Sequence, residues 1–167
     1  MRTAPLAPCT VRPAQDADLP QIARMVSEGA RFHADLDATR YRAGEPEALS
    51  RMLMGLLAER SLDRGLVLVA EYASHLVATA QISRRVHPRK ALRHAEEVLH
   101  IGWLWVDKAY RGRGVAQALV TEAEARARAA GITRVQCEIH TKNTVSKFFF
   151  QRSGYKQNTV LFARAVS

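Results

Sequence analysis

The passage from Val98 to Leu119 constrains the fold more than any other part of the chain. It begins as a period-two strand. Ile101, Trp103 and Trp105 fall on one face, and His100, Gly102, Leu104 and Val106 on the other. It then turns through Arg111-Gly112-Arg113-Gly114 and becomes a long alanine-rich helix, about Val115 to Ala130. A strand that enters a helix through glycines in so few residues belongs to a layered α/β arrangement, with helices packed on a sheet. Glu122 and Arg126, and Glu124 and Arg128, stand in the favoured order for helix ion pairs, and Gly131 is a natural C-terminal stop.

The rest of the chain supplies the partners of this unit. Residues 1–9 read as a loose arm and 10–167 as a single domain. Thr10 to Arg12 starts a strand that Pro13 ends. Asp16 is a helix N-cap, followed by Leu19, Ile22, Ala23 and Val26 at helical spacing, and Gly29 is expected to stop that helix. Arg31 to Glu45 reads as a loop, and Glu47 to Arg60 as a second helix. Leu66 to Tyr72 is a short apolar run, hence a buried strand, with Leu76 to Arg84 as its hairpin partner. Thr133 to His140 alternates like a strand, Thr144 to Arg152 reads as a helix ended by Gly154, and Gln157 to Val166 as one or two last strands. At 167 residues the chain makes one domain, which hides roughly 70% of its unfolded surface. A hydrophobic fraction of 47% and a charged fraction of 25% exclude disorder as the main state. No run approaches the roughly 20 apolar residues of a membrane span.

Lys and Arg number 25 against 16 Asp and Glu, a net charge of +9. Such a surface attracts anions, nucleic acid and phosphorylated cofactors among them. The arginines are spread along the chain and form no block, so the charge alone selects no partner. Two cysteines, Cys9 and Cys137, make no disulfide framework. With no export signal at the N-terminus, the expected compartment is the cytoplasm.

The glycine loop is where chemistry is expected. The first turn of a helix has free N–H groups and a partial positive charge, and glycines let an anion approach the backbone. A P-loop needs Gly-Lys-Ser/Thr at the helix start, and none is present. A dinucleotide fingerprint needs a third small residue, but Gln117 occupies that place. The pattern Arg/Gln-x-x-Gly-x-Gly/Ala is satisfied by Arg111, Gly114 and Ala116.

This segment resembles motif A of the GNAT N-acetyltransferases, whose loop holds the pyrophosphate of acetyl-CoA. A second stretch, Asn143-x-x-Ser146-x-x-Phe149-Phe150-x-x-x-Gly154-Tyr155, resembles the family's downstream signature. The resemblance implies the GNAT α/β fold: a mixed, mostly antiparallel, bent sheet with helices on both faces. It implies acetyl, or more broadly acyl, transfer from CoA to an amine, with no metal. Leu104, Trp105 and Val106 would bind the pantetheine arm through their backbone, and Leu104 would polarise the thioester carbonyl. The pyrophosphate would rest on backbone N–H groups of Arg111, Gly112, Arg113, Gly114, Val115 and Ala116. Asn143 would touch the CoA arm, a role compatible with a helix N-cap.

Two positions depart from the family pattern. By the resemblance Phe150 would stand beside CoA, where many members carry a tyrosine proposed to protonate the leaving thiolate. Gly102 stands where many carry a carboxylate base. By parity His100 shares the face of Gly102 and is the replacement candidate, acting through a water in the room at Gly102. Its plainer role is to fill space. Cys137, Trp103 and Trp105 read as core, and Tyr155 as packing. The six histidines have no metal-ligand spacing. The expected partner is a small-molecule or peptide amine, with no membrane and no nucleic acid. A homodimer is an expectation carried by the resemblance alone. The rival readings are a CoA-binding module with little turnover and a basic acetyltransferase associated with RNA or ribosomes.

Overall fold

The computed structural model describes residues 9–92 and 94–161. The elements run β1 (Thr10–Pro13), α1 (Leu19–Leu36), α2 (Pro46–Glu59), β2 (Leu66–Tyr72), β3 (His75–His87), β4 (Glu96–Val106), α3 (Val115–Ala129), β5 (Val135–Cys137) and α4 (Thr144–Arg152). The sheet order is β1-β2-β3-β4-β5. All neighbours are antiparallel except β4 and β5, which are parallel. The expected mixed, mostly antiparallel α/β fold is therefore present.

Strand alternation sends side chains to two separate cores. Leu66, Leu68 and Ala70 face Val115, Leu119, Val120 and Ala123 of α3, together with Phe150 of α4. Val67 and Val69 face Ile22 and Met25 of α1 and Leu53 and Leu57 of α2. Helices thus cover both faces, as expected. Among the described residues, no helix is long and apolar enough to cross a membrane.

Expectations for several elements need correction. Gly29 does not end α1, which continues to Leu36. Glycine inside a helix costs only about 1 kcal/mol, and here a Cβ would lie 3.3 Å from the Trp105 ring. The glycine therefore serves close packing on β4. The strand expected over Thr133 to His140 is only Val135–Cys137, because β4 and β5 part after the pair Ile101↔Cys137. Gln157 to Leu161 form no strand, and the rest of that expected element lies outside the described residues. Of the two expected helix pairs, Arg126 donates to Glu122 at 2.7 Å, whereas Glu124 accepts from the Tyr155 hydroxyl at 3.2 Å.

A bulge in β4 sets the site. Ile82 pairs with Ile101 and Gln81 with Trp103, so Gly102 is an extra residue. Such a bulge bends the strand and shifts its side-chain parity. Leu104 and Val106 face Ala80 and Ala78, the same side as Ile101 opposite Ile82. His100 faces Ser83 and shares its side with Trp103 and Trp105, opposite Gln81 and Thr79. The parity expected from sequence for His100 with Leu104 and Val106 is therefore wrong by one residue.

Candidate active site

Where β5 leaves, β4 keeps one paired edge and exposes the other. Asp107 N–H donates to Val77 O on β3 at 2.9 Å. By alternation the backbone groups of Trp105 also point to β3, and those of Leu104 and Val106 point to the open edge. Leu104 N–H thus points to the open edge. Val106 O is engaged by Arg111 Nε, which donates to it at 2.9 Å. Trp105 pairs with Thr79 on β3. Its ring lies between Gly29 and the Arg111 guanidinium, 4.6 Å from the ring centroid.

The same contacts explain the loop. Arg111 spends its side chain on Val106 and Trp105, which fixes how β4 enters the turn. Gly112 and Gly114 have φ of 72° and 86°, a region that favours glycine. Gly114 is the N-cap of α3 and offers no capping side chain. The first-turn N–H groups therefore remain open to an anion. Nothing lies within 4 Å of where a Gly114 Cβ would sit. Arg113 rests near the Tyr110 ring, and its Nε is buried with no hydrogen-bond partner.

Asn143 is 6% exposed and caps α4, accepting from Ser146 N–H at 3.1 Å. The expected capping role holds, and its amide nitrogen makes no hydrogen bond to the described residues. Phe150 is buried between Phe149 and Tyr155, with ring centroids 5.0 and 5.1 Å away. Phe150→Tyr places a hydroxyl in this apolar contact. It is expected to lower stability by about 1–3 kcal/mol and to keep turnover and CoA affinity, read by a thermal melt, a rate and a titration. A large loss of turnover with CoA binding intact would show that the added hydroxyl disturbs the chemistry rather than the packing.

His100 is 4% exposed, paired to β3 and β5 on both sides, and its Nδ1 has no partner. Burial holds its pKa below the ordinary value, with the Arg85 charge acting the same way and Glu138 opposing. It is therefore neutral near pH 7. The room expected for a water at Gly102 is not empty: a Cβ there would overlap Gln81 Oε1. The amide of Gln81, itself 9% exposed, fills it. Gly102→Ala is expected to cost about 1–3 kcal/mol through this overlap. Adding Gln81→Ala should recover most of that loss in denaturant titrations. Additive effects in the double variant would show that the two residues do not compete for space.

Burial raises the Cys137 thiol to about 11, which suits core rather than nucleophile. Among the described residues no cluster of His, Cys, Asp and Glu could hold a metal. Sequence reasoning missed Gln81 and the end of α1, where His33, Tyr41 and His140 meet. The bulge that brings Gln81 to Gly102 has no local sequence mark beyond the glycine. The histidine cluster joins segments more than 100 residues apart, Asp37 to His140.

No curated protein matches this sequence. Solved structures resemble it in fold. A point mutant of the BH1408 protein from Bacillus halodurans superposes with a TM-score of 0.84 at 19% identity, over 95% of this chain and 99% of that one. The aminoglycoside N-acetyltransferase AAC(6')-Iy in complex with CoA gives 0.71 at 18% identity, over 95% of each chain. An aminoglycoside 6'-N-acetyltransferase from Acinetobacter haemolyticus gives 0.69 at 19% identity, over 95% of this chain and 99% of that one. The family model described as Acetyltransferase (GNAT) family matches residues 31–155, which contain the split sheet, the glycine loop and α4. The chain therefore belongs to the GNAT acetyltransferase family, enzymes that use acetyl-CoA to acetylate an amine.

Proposed function

We propose that this protein moves an acetyl group from acetyl-CoA to a primary amine by direct attack in a ternary complex. The observation that carries this is the open edge of β4 running into an uncapped, glycine-led helix start. The fit to CoA is chemical. The α3 N-terminus and Arg113 suit a pyrophosphate, with Gly112, Gly114, Val115 and Ala116 offering backbone. Leu104 and Asn143 suit the amides of the pantetheine arm. Bound acetyl-CoA supplies the activated thioester carbonyl, and Leu104 N–H is the donor placed to stabilise negative charge on its oxygen. His100, neutral and on the Trp103 side of β4, is the proposed group for taking the amine's proton. The cytoplasm, where the free thiols of Cys9 and Cys137 persist, is the proposed compartment.

The test is single-turnover mixing with acetyl-CoA and a panel of primary amines, following free thiol. Thiol release that depends on an amine supports the reading. CoA binding with no amine-dependent release from a broad panel of amino sugars, amino acids, polyamines and peptides would favour a binding module instead. The filled space at Gly102 and the buried Phe150 are the observations behind that second reading. The chemistry of the acceptor is not set by the aminoglycoside enzymes above, since their likeness to this chain is one of fold.

A further inference from the structure

Asp107 is the residue at which β4 leaves the sheet. Its N–H still reaches back to Val77 O on β3 at 2.9 Å, and its carbonyl accepts from Tyr110 N–H at 2.8 Å. The short 3-10 turn Lys108–Tyr110 follows, and then the glycine turn into α3. The Asp107 carboxylate is gripped from far along the chain. Arg24 of α1 meets both of its oxygens, Nη1 donating to Oδ1 at 3.2 Å and Nη2 to Oδ2 at 2.8 Å. Such a fork-on-fork pair fixes direction as well as distance. Arg24 is itself braced by Glu28, one turn on, with Nη1 donating to Oε1 at 2.8 Å. The other Glu28 oxygen accepts from Trp105 Nε1 at 3.4 Å. This part of α1 therefore holds the two residues that flank Val106. Val106 O is in turn the group that Arg111 engages from the loop.

The two helices concerned belong to different faces of the sheet. Ile22 and Met25 bury α1 in one core, and Val115 and Leu119 bury α3 in the other. Between β4 and α3 the chain passes through Gly112 and Gly114, both with positive φ. Glycine leaves such a turn many conformations, so its course is set by what holds its ends. Val115, in the core, holds one end. Asp107 holds the other. We propose that Arg24 is a positioning residue for the cofactor: by gripping Asp107 it sets where β4 stops and how its open edge stands relative to the start of α3. The proposal rests on the acetyl-transfer reading, in which CoA lies along that edge with its pyrophosphate at α3. A ligand that spans both needs them at a fixed separation, and a site already held in that geometry binds it without the cost of ordering the turn. Arg24 itself touches no part of the cofactor in this reading. Its action passes through Asp107.

The test is a double-mutant cycle on CoA affinity, read by calorimetry well below each melting temperature. Arg24→Met and Asp107→Asn each remove the fork. Each is expected to weaken CoA binding by about fivefold, and the double variant by no more than either alone, because the two residues act as one contact. Arg24→Lys keeps the charge without the fork and should fall between the wild type and Arg24→Met. It carries the comparison if Asp107→Asn fails to fold. Arg12→Met is the control for stability. Arg12 makes a similar pair, on Asp18 at 2.7 and 3.1 Å, from β1 at the far end of the sheet order. Its loss should lower the melting temperature and leave CoA affinity unchanged. Arg24 and Asp107 variants that melt lower yet bind CoA as tightly as the wild type overturn the positioning role and leave acetyl transfer intact. Additive losses in the double variant, or a matching loss in Arg12→Met, overturn it as well. A wild type that does not bind CoA overturns the acetyl-transfer reading, and the positioning role with it.

Discussion

Gly114→Asp is expected to weaken CoA binding tenfold or more, about 1.4 kcal/mol, in a protein that stays folded. The position caps α3 with φ of 86°, and aspartate tolerates that region better than most residues. The Cβ would enter open space, so the core behind α3 is untouched. The effect comes from charge. A carboxylate would stand where the first-turn N–H groups are proposed to receive a pyrophosphate, and it would also cap those groups itself. Gly114→Asn separates the two causes, since it caps without a net charge and should lose less. Calorimetry with CoA and a thermal melt on each variant suffice. Unchanged CoA affinity in folded Gly114→Asp would remove the loop from the cofactor site.

Much of the fold was legible because its strands and helices carry their own periodicity. Leu66–Tyr72 and Thr144–Arg152 appear with the bounds that the sequence implies. The misreadings share a cause: a tertiary contact overrode a local signal. Gly29 reads as a stop but serves the approach of Trp105. Thr133 to His140 alternates well, yet only three residues pair, because the bulge at Gly102 turns β4 away. A single extra residue is invisible to a period-two reading, and it inverted the face assigned to His100. The glycine turn into α3 was legible because its spacing is local. What the spacing does not show is that the Arg111 side chain braces Val106 and Trp105. The stretch Arg31 to Glu45 reads as a loop in the sequence, since its partners at Trp105 and His140 lie far along the chain.

The bulge puts His100 on the strand face of Trp103 and Trp105, opposite to that of Leu104 and Val106. His100→Ala is expected to lower kcat by about 10²–10⁴-fold, the usual worth of general base help, and to leave CoA affinity nearly unchanged. The side chain shares its strand face with Trp103, and Nδ1 has no partner in the protein. Its pKa is held down first by burial and then by Arg85. The wild-type kcat should therefore fall on an acidic limb centred below the ordinary histidine value of about 6.5, and that limb should vanish in the variant. The same shift has a stability consequence with a definite sign. A histidine whose folded pKa is depressed binds a proton more readily in the unfolded chain, so the wild type loses stability as pH falls from about 6.5 towards the folded value. His100→Ala should lose less over that interval, although it melts lower at pH 8 from the cavity it leaves. Replacing Arg85 by Met removes one cause of the depression and should move the acidic limb upward without abolishing it. A His100→Ala protein that melts lower yet turns over at the wild-type rate would place His100 among the space-filling residues, leaving the removal of the amine's proton to another group.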